Sequence, residues 1–360
     1  MRVDAARLEA AASALLETTG APPATAETVA RSLVASDLRG HHSHGVLRVP
    51  LYEEKVEMGT IDPTATPEVA RDAGAVVTVD GRDAFGQLVG RRVVDLLTER
   101  ADERGVAAVG ARNATHLGRM GEWAERVAAE GFCFAVFVNA QGGNHNVAPA
   151  GSATRRLSTN PIAFGIPTMG GLAHDVVLDM ATSQVAHGKI REREATGDPV
   201  PAGWTTDEDG DGFTDAAAFE AGEGGAMLPL GGRVAGYKGT GLAVVAELFA
   251  GLFGDAVVAG QEHPPDSNNA ALFLAFDPLV TTDREGVRRR AAALADHLAA
   301  ADYGTGPSPG VAAKGDRFRI PGAPEHEALR SYREDGIPLD DRIADRLRAM
   351  ADRTGARIDL

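Results

Sequence analysis

The run VVTVDGRDAFGQLVGRRVVDLLTERADERGVAAVGARNATHLGRMGEWAERVAAEGFCFAVFV, residues 76–138, decides the fold class because its period changes repeatedly. Val76-Val77-Thr78-Val79 is a short β-branched strand signal, followed by a helix from about Gly86 to Arg104. Val106 to Val109 reads as a strand, Met120 to Glu130 as a helix, and Phe132 to Val138 as a buried strand. Outward from there, strand-like runs at Ile162 to Ile166, Val176 to Leu178 and Leu272 to Phe276 alternate with helices near Thr182 to Glu194 and Gly239 to Phe253. Strands alternating with helices predict an α/β body. No strand leads into G-x-G-x-x-G with an acid about 20 residues on, so a doubly wound dinucleotide site is not supported.

Towards the amino terminus the signal is helical. Asp4 to Leu16 has apolar residues at helical spacing, and Pro22 and Pro23 break it. Thr25 is a candidate N-cap for a second helix ending at Arg39, with Gly40 beyond. A third helix is expected from Ser43 to Met58-Gly59, then an extended link marked by Pro63 and Pro67. From Pro324 onward the chain returns to helix. The expected organisation is a helical domain of residues 1–74, with 310–360 packing back on it, and an α/β cofactor-binding domain of residues 75–309.

Composition excludes several function classes. The formal charge of −15 argues against a nucleic-acid partner. One cysteine, Cys133, excludes an internal disulfide and a multi-cysteine metal site. The longest apolar stretch, Leu242 to Phe253, is interrupted by Glu247 and falls short of the ~20 residues of a membrane span. The first 20 residues carry several charges and do not read as a signal peptide, so a cytoplasmic chain is expected. Only 4 of the 36 basic residues are lysines, which draws attention to where each falls.

The densest chemical cluster is Asp37-Leu38-Arg39-Gly40-His41-His42-Ser43-His44-Gly45, with Arg48 just beyond. If Ser43 caps a helix, His44 and Arg48 lie one turn apart on one face. Arginine holds a carboxylate two-pronged and histidine titrates near neutrality, which suits proton transfer on a small acid. The bland alternative is a capped helix start with solvated histidines; no acidic or cysteine ligand set supports a metal. His116, in Arg112-Asn113-Ala114-Thr115-His116-Leu117-Gly118 after a strand, is a rival proton donor. Glycine-rich stretches follow at Gly142-Gly143-Asn144-His145-Asn146, Ser158-Thr159-Asn160-Pro161 and Asp179-Met180-Ala181-Thr182-Ser183, leading to Gly188-Lys189. Gly236-Tyr237-Lys238-Gly239-Thr240-Gly241 reads as a turn opening a helix, a natural anion cradle. Asp207 to Gly212 imitates a calcium loop, but position twelve is Ala218, where a glutamate is needed.

In this order the motifs D-L-R-G-H-H-S-H-G, N-A-T-H-L-G, S-T-N-P-I-A-F-G-I-P, L-D-M-A-T-S, G-W-T-T-D, L-P-L-G-G and G-Y-K-G-T-G resemble the malate/L-lactate dehydrogenase family of non-Rossmann oxidoreductases. The resemblance runs from about Asp37 to Asp341. Asp80 to Gln87 and His263-Pro264-Pro265-Asp266-Ser267 are most similar to a branch reducing broader 2-oxo acids. It implies a mixed-sheet α/β body, a discontinuous helical domain from both termini, and a homodimer or larger assembly with the site near the subunit interface. The implied reaction moves a hydride between NAD or NADP, with NAD favoured, and C2 of a small 2-hydroxy or 2-oxo acid. By motif match His44 is the acid/base residue, although some members give that role to the histidine matching His116. Arg48, Arg39, Ser43, Thr159 and Asn160 are the expected substrate contacts. Asp179, Met180, Ala181, Thr182, Ser183, Lys238, Asn268 and Gly322 are the expected cofactor contacts, and no metal is expected. Two departures bear on substrate preference, His42 where aspartate is common and Ala150-Gly151-Ser152 where an aromatic-glycine-glycine is usual. A third, Pro321-Gly322-Ala323-Pro324-Glu325 in place of P-G-E, bears on the contact at that turn. The alternatives are a cyclic-imine reductase of proline or pipecolate type and a non-catalytic binding protein on the same scaffold.

Overall fold

Both chain ends meet in one helical layer in the computed structural model, which describes residues 1–140, 145–262, 268–302 and 318–360. Strand β1 (Arg2–Val3) pairs antiparallel with β11 (Ile337–Pro338). Helices α1 (Ala5–Glu17), α2 (Pro23–Asp37) and α3 (Val49–Glu57) share a core with the carboxy-terminal α11 (Asp341–Thr354). Leu8, Leu15 and Leu33 meet Ile337, Leu347 and Met350 there. Local chemistry sets the ends: the Asp4 side chain accepts from the backbone amides of Ala6 and Arg7. Helix α2 starts at Pro23 rather than at a Thr25 cap, because a proline at the first helical position has no amide to satisfy. Helix α10 (Ala323–Asp335) precedes β11.

The strand runs form one seven-stranded mixed sheet, in the order β2 (Glu68–Asp72), β3 (Val76–Asp80), β4 (Val106–Ala114), β10 (Asn269–Phe276), β5 (Cys133–Asn139), β6 (Ile162–Ile166) and β7 (Val176–Met180). Its ladders are antiparallel except for β3–β4. Strand β10 sits mid-sheet with Ala270, Ala271, Leu272, Phe273 and Ala275 all buried, as a strand covered on both faces requires. Strand β2 corrects the expected extended link: it is an edge strand whose five residues are all exposed, so it has no apolar alternation to read. Helices α4 (Gly86–Arg104), α5 (Met120–Ala129) and α8 (Gly232–Gly254) pack on the sheet, and α9 (Arg284–Ala299) follows β10.

A smaller lobe has its own core of Val147, Leu157, Ile190, Val200, Phe219 and Met227. It contains α6 (His187–Thr196), α7 (Ala216–Glu220) and the short pair β8 (Thr205–Thr206) and β9 (Ala226–Met227). Among the described residues no helix is long and apolar enough to cross a membrane.

Candidate active site

Asp37, at the end of α2, organises the histidine-rich segment. Its buried carboxylate takes His42 Nδ1 through Oδ1 and the Val46 amide through Oδ2, each at 2.8 Å. Burial pushes its carboxyl up from the ordinary range against both of these contacts. Gly45 passes so close that a Cβ there would lie 2.0 Å from Asp37 Oδ1. The backbone therefore makes two 3₁₀ turns, His42–His44 and Val46–Arg48, before α3 begins. This corrects the expected single helix from Ser43. The Ser43 hydroxyl lies 3.0 Å from His44 Nδ1 instead of capping a helix, and its carbonyl accepts from Arg48 Nε at 2.8 Å. Both terminal nitrogens of Arg48 are without a partner among the described residues.

His116 follows the end of β4 and stacks on His44, ring centroids 5.4 Å apart and planes 20° apart. Gln87 Nε2 donates to the Tyr52 hydroxyl at 2.8 Å, and that hydroxyl lies 2.8 Å from His116 Nδ1. If the tyrosine donates to Nδ1, the ring proton resides on Nε2. Burial, then the Arg48 charge with smaller electrostatic contributions from His41 and Arg119, lowers His44 to about 3. Burial, then Arg48 and His44, hold His116 well below its ordinary value. Burial pushes Tyr52 up to about 12, so its hydroxyl keeps its proton at neutral pH.

A second polar cluster borders these histidines. Asp179, at the end of β7, accepts from the Gly121 amide at 2.7 Å, and burial pushes its carboxyl up. Arg119 is 2 % exposed and donates to Glu125 at 2.8 Å, yet its Nε and Nη1 are buried without partners among the described residues. A Cβ on Gly121 would lie 2.3 Å from Arg119 Nη1 and 3.2 Å from Asp179 Oδ2. Glu325, from the first turn of α10, lies 2.9 Å from His41 Nε2. Gly322 caps that helix at φ 96° against the β7 backbone, where a Cβ would stand 3.1 Å from the Asp175 carbonyl. Sequence reasoning missed Arg119, Tyr52, Gln87 and Glu325; the signal available was that polar residues recur beside the singled-out histidines.

Several expected contacts are engaged elsewhere. Arg39 Nε pairs with Glu125 at 2.5 Å and its Nη1 with the Ala35 carbonyl at 3.0 Å, so its guanidinium belongs to the polar cluster rather than to a free carboxylate site. Buried Asn160 donates to Glu247 Oε2 at 2.7 Å and to the Ala243 carbonyl at 3.1 Å, pinning α8. The Thr182 hydroxyl donates to the Thr159 and Asn160 carbonyls, and the Ser183 hydroxyl to Val185 at 2.6 Å. These contacts hold residues 182–186 in a loop, so α6 starts at His187 and not at Thr182. Met180 and Ala181 follow Asp179, partly buried. Lys238 is exposed and lies inside α8, just after a kink at Ala235, rather than in a turn. The glycines around it serve close packing: a Cβ on Gly239 would lie 2.3 Å from the Leu230 amide nitrogen. Asn268 donates to Asp83, whereas Asn269 accepts from the Leu117 amide at 3.4 Å, next to His116. Gly142, Gly143, Asn144 and His263 to Ser267 lie outside the described residues.

A family model for malate/L-lactate dehydrogenase matches residues 3–348. The chain belongs to the malate/L-lactate dehydrogenase family. It is an oxidoreductase of the dehydrogenase kind. It is 33% identical over 333 residues to an L-lactate dehydrogenase of Cupriavidus necator, covering 92% of this chain and 91% of that one. It is 36% identical over 268 residues to a Delta(1)-pyrroline-2-carboxylate reductase of Ancylobacter novellus, covering 71% and 73% respectively. The structure of malate dehydrogenase from Pyrococcus horikoshii OT3 superposes with a TM-score of 0.85 at 28% identity, covering 100% of this chain and 97% of that one. The mixed α/β fold expected from the sequence is thus that of the family.

Proposed function

We propose that the chain moves a hydride between a nicotinamide dinucleotide and C2 of a small 2-hydroxy or 2-oxo acid. The observation that carries this reading is the stacked His44–His116 pair beside a guanidinium whose terminal nitrogens have no partner among the described residues. Arg48 holds the substrate carboxylate through those nitrogens. His116, once its ring carries a proton on both nitrogens, donates the one on Nε2 to the C2 oxygen and is left neutral, with Gln87 and Tyr52 orienting its other nitrogen. This moves the weight that motif matching placed on His44, whose Nδ1 has only the Ser43 hydroxyl among the described residues; His44 then supports the imidazole by stacking. A carboxylate arriving at Arg48 offsets the cation that depresses both histidines, so substrate binding favours the protonated ring.

The cofactor fits the second cluster. The Nε and Nη1 of Arg119, partnerless among the described residues, ask for an acceptor, and Asp179 beside them, which takes the Gly121 amide, could accept a hydroxyl donor as well. When bound there, with Met180, Ala181 and the Gly322 turn adjoining, the nicotinamide supplies or receives the hydride. NAD is the proposed form, since the carboxylates of Glu125, Asp179 and Glu325 oppose a further phosphate. Calorimetry with NADH and NADPH, followed by turnover on a panel of oxo acids and cyclic imines, tests the reading; binding of neither cofactor sinks it. The pyrroline-carboxylate reductase relative makes imines the second substrate class to assay.

A homodimer in the cytoplasm completes the proposal. Val234, Tyr237, Val244, Val245, Leu248 and Leu252 form an exposed apolar series on α8 that a second copy would cover. Light scattering of the active enzyme near 37.4 kDa contradicts the dimer.

A further inference from the structure

Arg48 has no carboxylate partner among the described residues, although it is partly buried beside two histidines. Helix α6 brings a second cation to the same place. Gly188, in its first turn, faces Ser43 so closely that a Cβ there would lie 3.5 Å from Ser43 Cβ. Residues three apart share a helix face, so Arg191 stands one turn along on the side that overlooks Ser43.

Arg191 is fixed, not loose. Its Nε lies 3.2 Å from Glu220 Oε2, and His187 Nε2 lies 2.6 Å from Glu220 Oε1. Burial works against the Glu220 charge, but His187 and Arg191 hold its carboxyl below the usual range, so the anchor stays ionised. The terminal nitrogens of Arg191 have no partner among the described residues. The other cations of α6 are engaged: Lys189 with Glu192 at 3.1 Å, and Arg193 with Asp198 at 3.7 Å and the Trp204 ring. After burial, the charge of Arg191 is what lowers Arg48 from its ordinary value, against the opposing influence of Tyr52. Two guanidinium groups, brought near one another where α6 meets the Ser43 turn and each with terminal donors unpartnered among the described residues, suit an anion carrying charge at both ends.

We propose that Arg191 receives a second anionic group of the substrate, so that the site selects 2-oxo and 2-hydroxy acids with a distal carboxylate over monoanions. This rests on the reading of Arg48 as the anchor of the first carboxylate.

The test is calorimetry on the cofactor-saturated enzyme with two unreactive probes, oxamate with one carboxylate and N-oxalylglycine with two, alongside kcat and KM for mono- and dicarboxylic 2-oxo acids. Arg191→Gln is expected to weaken N-oxalylglycine by about tenfold or more, the usual worth of a charge-assisted hydrogen bond, and to leave oxamate within about twofold. The dicarboxylate loss falls on KM, with kcat little changed, and Arg191→Lys recovers part of it. Equal affinity of the native enzyme for both probes, or an equal loss of both in Arg191→Gln, overturns the proposal while leaving the Arg48 reading intact. If Arg48→Ala leaves oxamate binding unchanged, the Arg48 reading falls and this proposal falls with it.

Discussion

Replacing Tyr52 by phenylalanine removes one oxygen and leaves the ring packed against Phe85, centroids 5.7 Å apart. Tyr52 is 2 % exposed, so no water substitutes freely for the lost hydroxyl. Two partners are stranded, His116 Nδ1 and Gln87 Nε2, each now 2.8 Å from a missing atom. A buried polar group left unsatisfied costs about 1–3 kcal/mol, so a stability loss of about 3 kcal/mol is expected. On the reaction itself the lost bond orients the proton donor. A net worth of about 1.4 kcal/mol corresponds to about a tenfold fall in kcat, with KM for the acid little changed. Because donation from Tyr52 opposes protonation at Nδ1, the limb of the reductive pH–rate profile on which turnover falls as His116 loses its proton should move upward in Tyr52→Phe. Stopped-flow nicotinamide absorbance under single-turnover conditions, with urea denaturation in parallel, measures both effects. Native turnover with a native pH profile would refute the orienting role. A fall as deep as that of His116→Ala would make the tyrosine hydroxyl the proton donor and refute the assignment of that role to His116.

Other consequences follow from the same geometry. His44 is lowered from 6.5 to about 3 in the folded chain, so the unfolded chain takes the proton first as pH falls. Stability from this imidazole is full above about pH 6.5 and declines by about 2 kcal/mol between pH 7 and 5; His44→Gln should flatten that slope in denaturation curves. Gly45→Ala drives a methyl into the Asp37 carboxylate and should lower the melting temperature and cut turnover at least about tenfold together, as calorimetric melting and rate assays would show. Arg48→Ala should raise KM for the acid by about 100-fold, or about 2.7 kcal/mol, with little change in cofactor affinity by calorimetry.

What the sequence determined by itself is local. The β-branched run at Val76–Val79 and the buried run at Phe132–Val138 became β3 and β5, and the intervening helical stretches became α4 and α5, because side-chain period and capping act within a few residues. His44, Arg48 and His116 stood out because their residue types carry chemistry wherever they fall. Tertiary structure decided the rest. Only pairing across the chain places β10 between β4 and β5, and no local signal specifies a partner more than a hundred residues away. The double turn at His42–Arg48 exists because Asp37 folds back on Val46 and His42, a contact that overrides the helical spacing read from Ser43. Arg119, Tyr52, Gln87, Glu325 and Arg191 come from five separate elements or their edges, and each is an ordinary residue in its own stretch of sequence. Their roles arise from hydrogen bonds and charges acting over a few ångströms in space, distances that the order of residues along the chain does not encode.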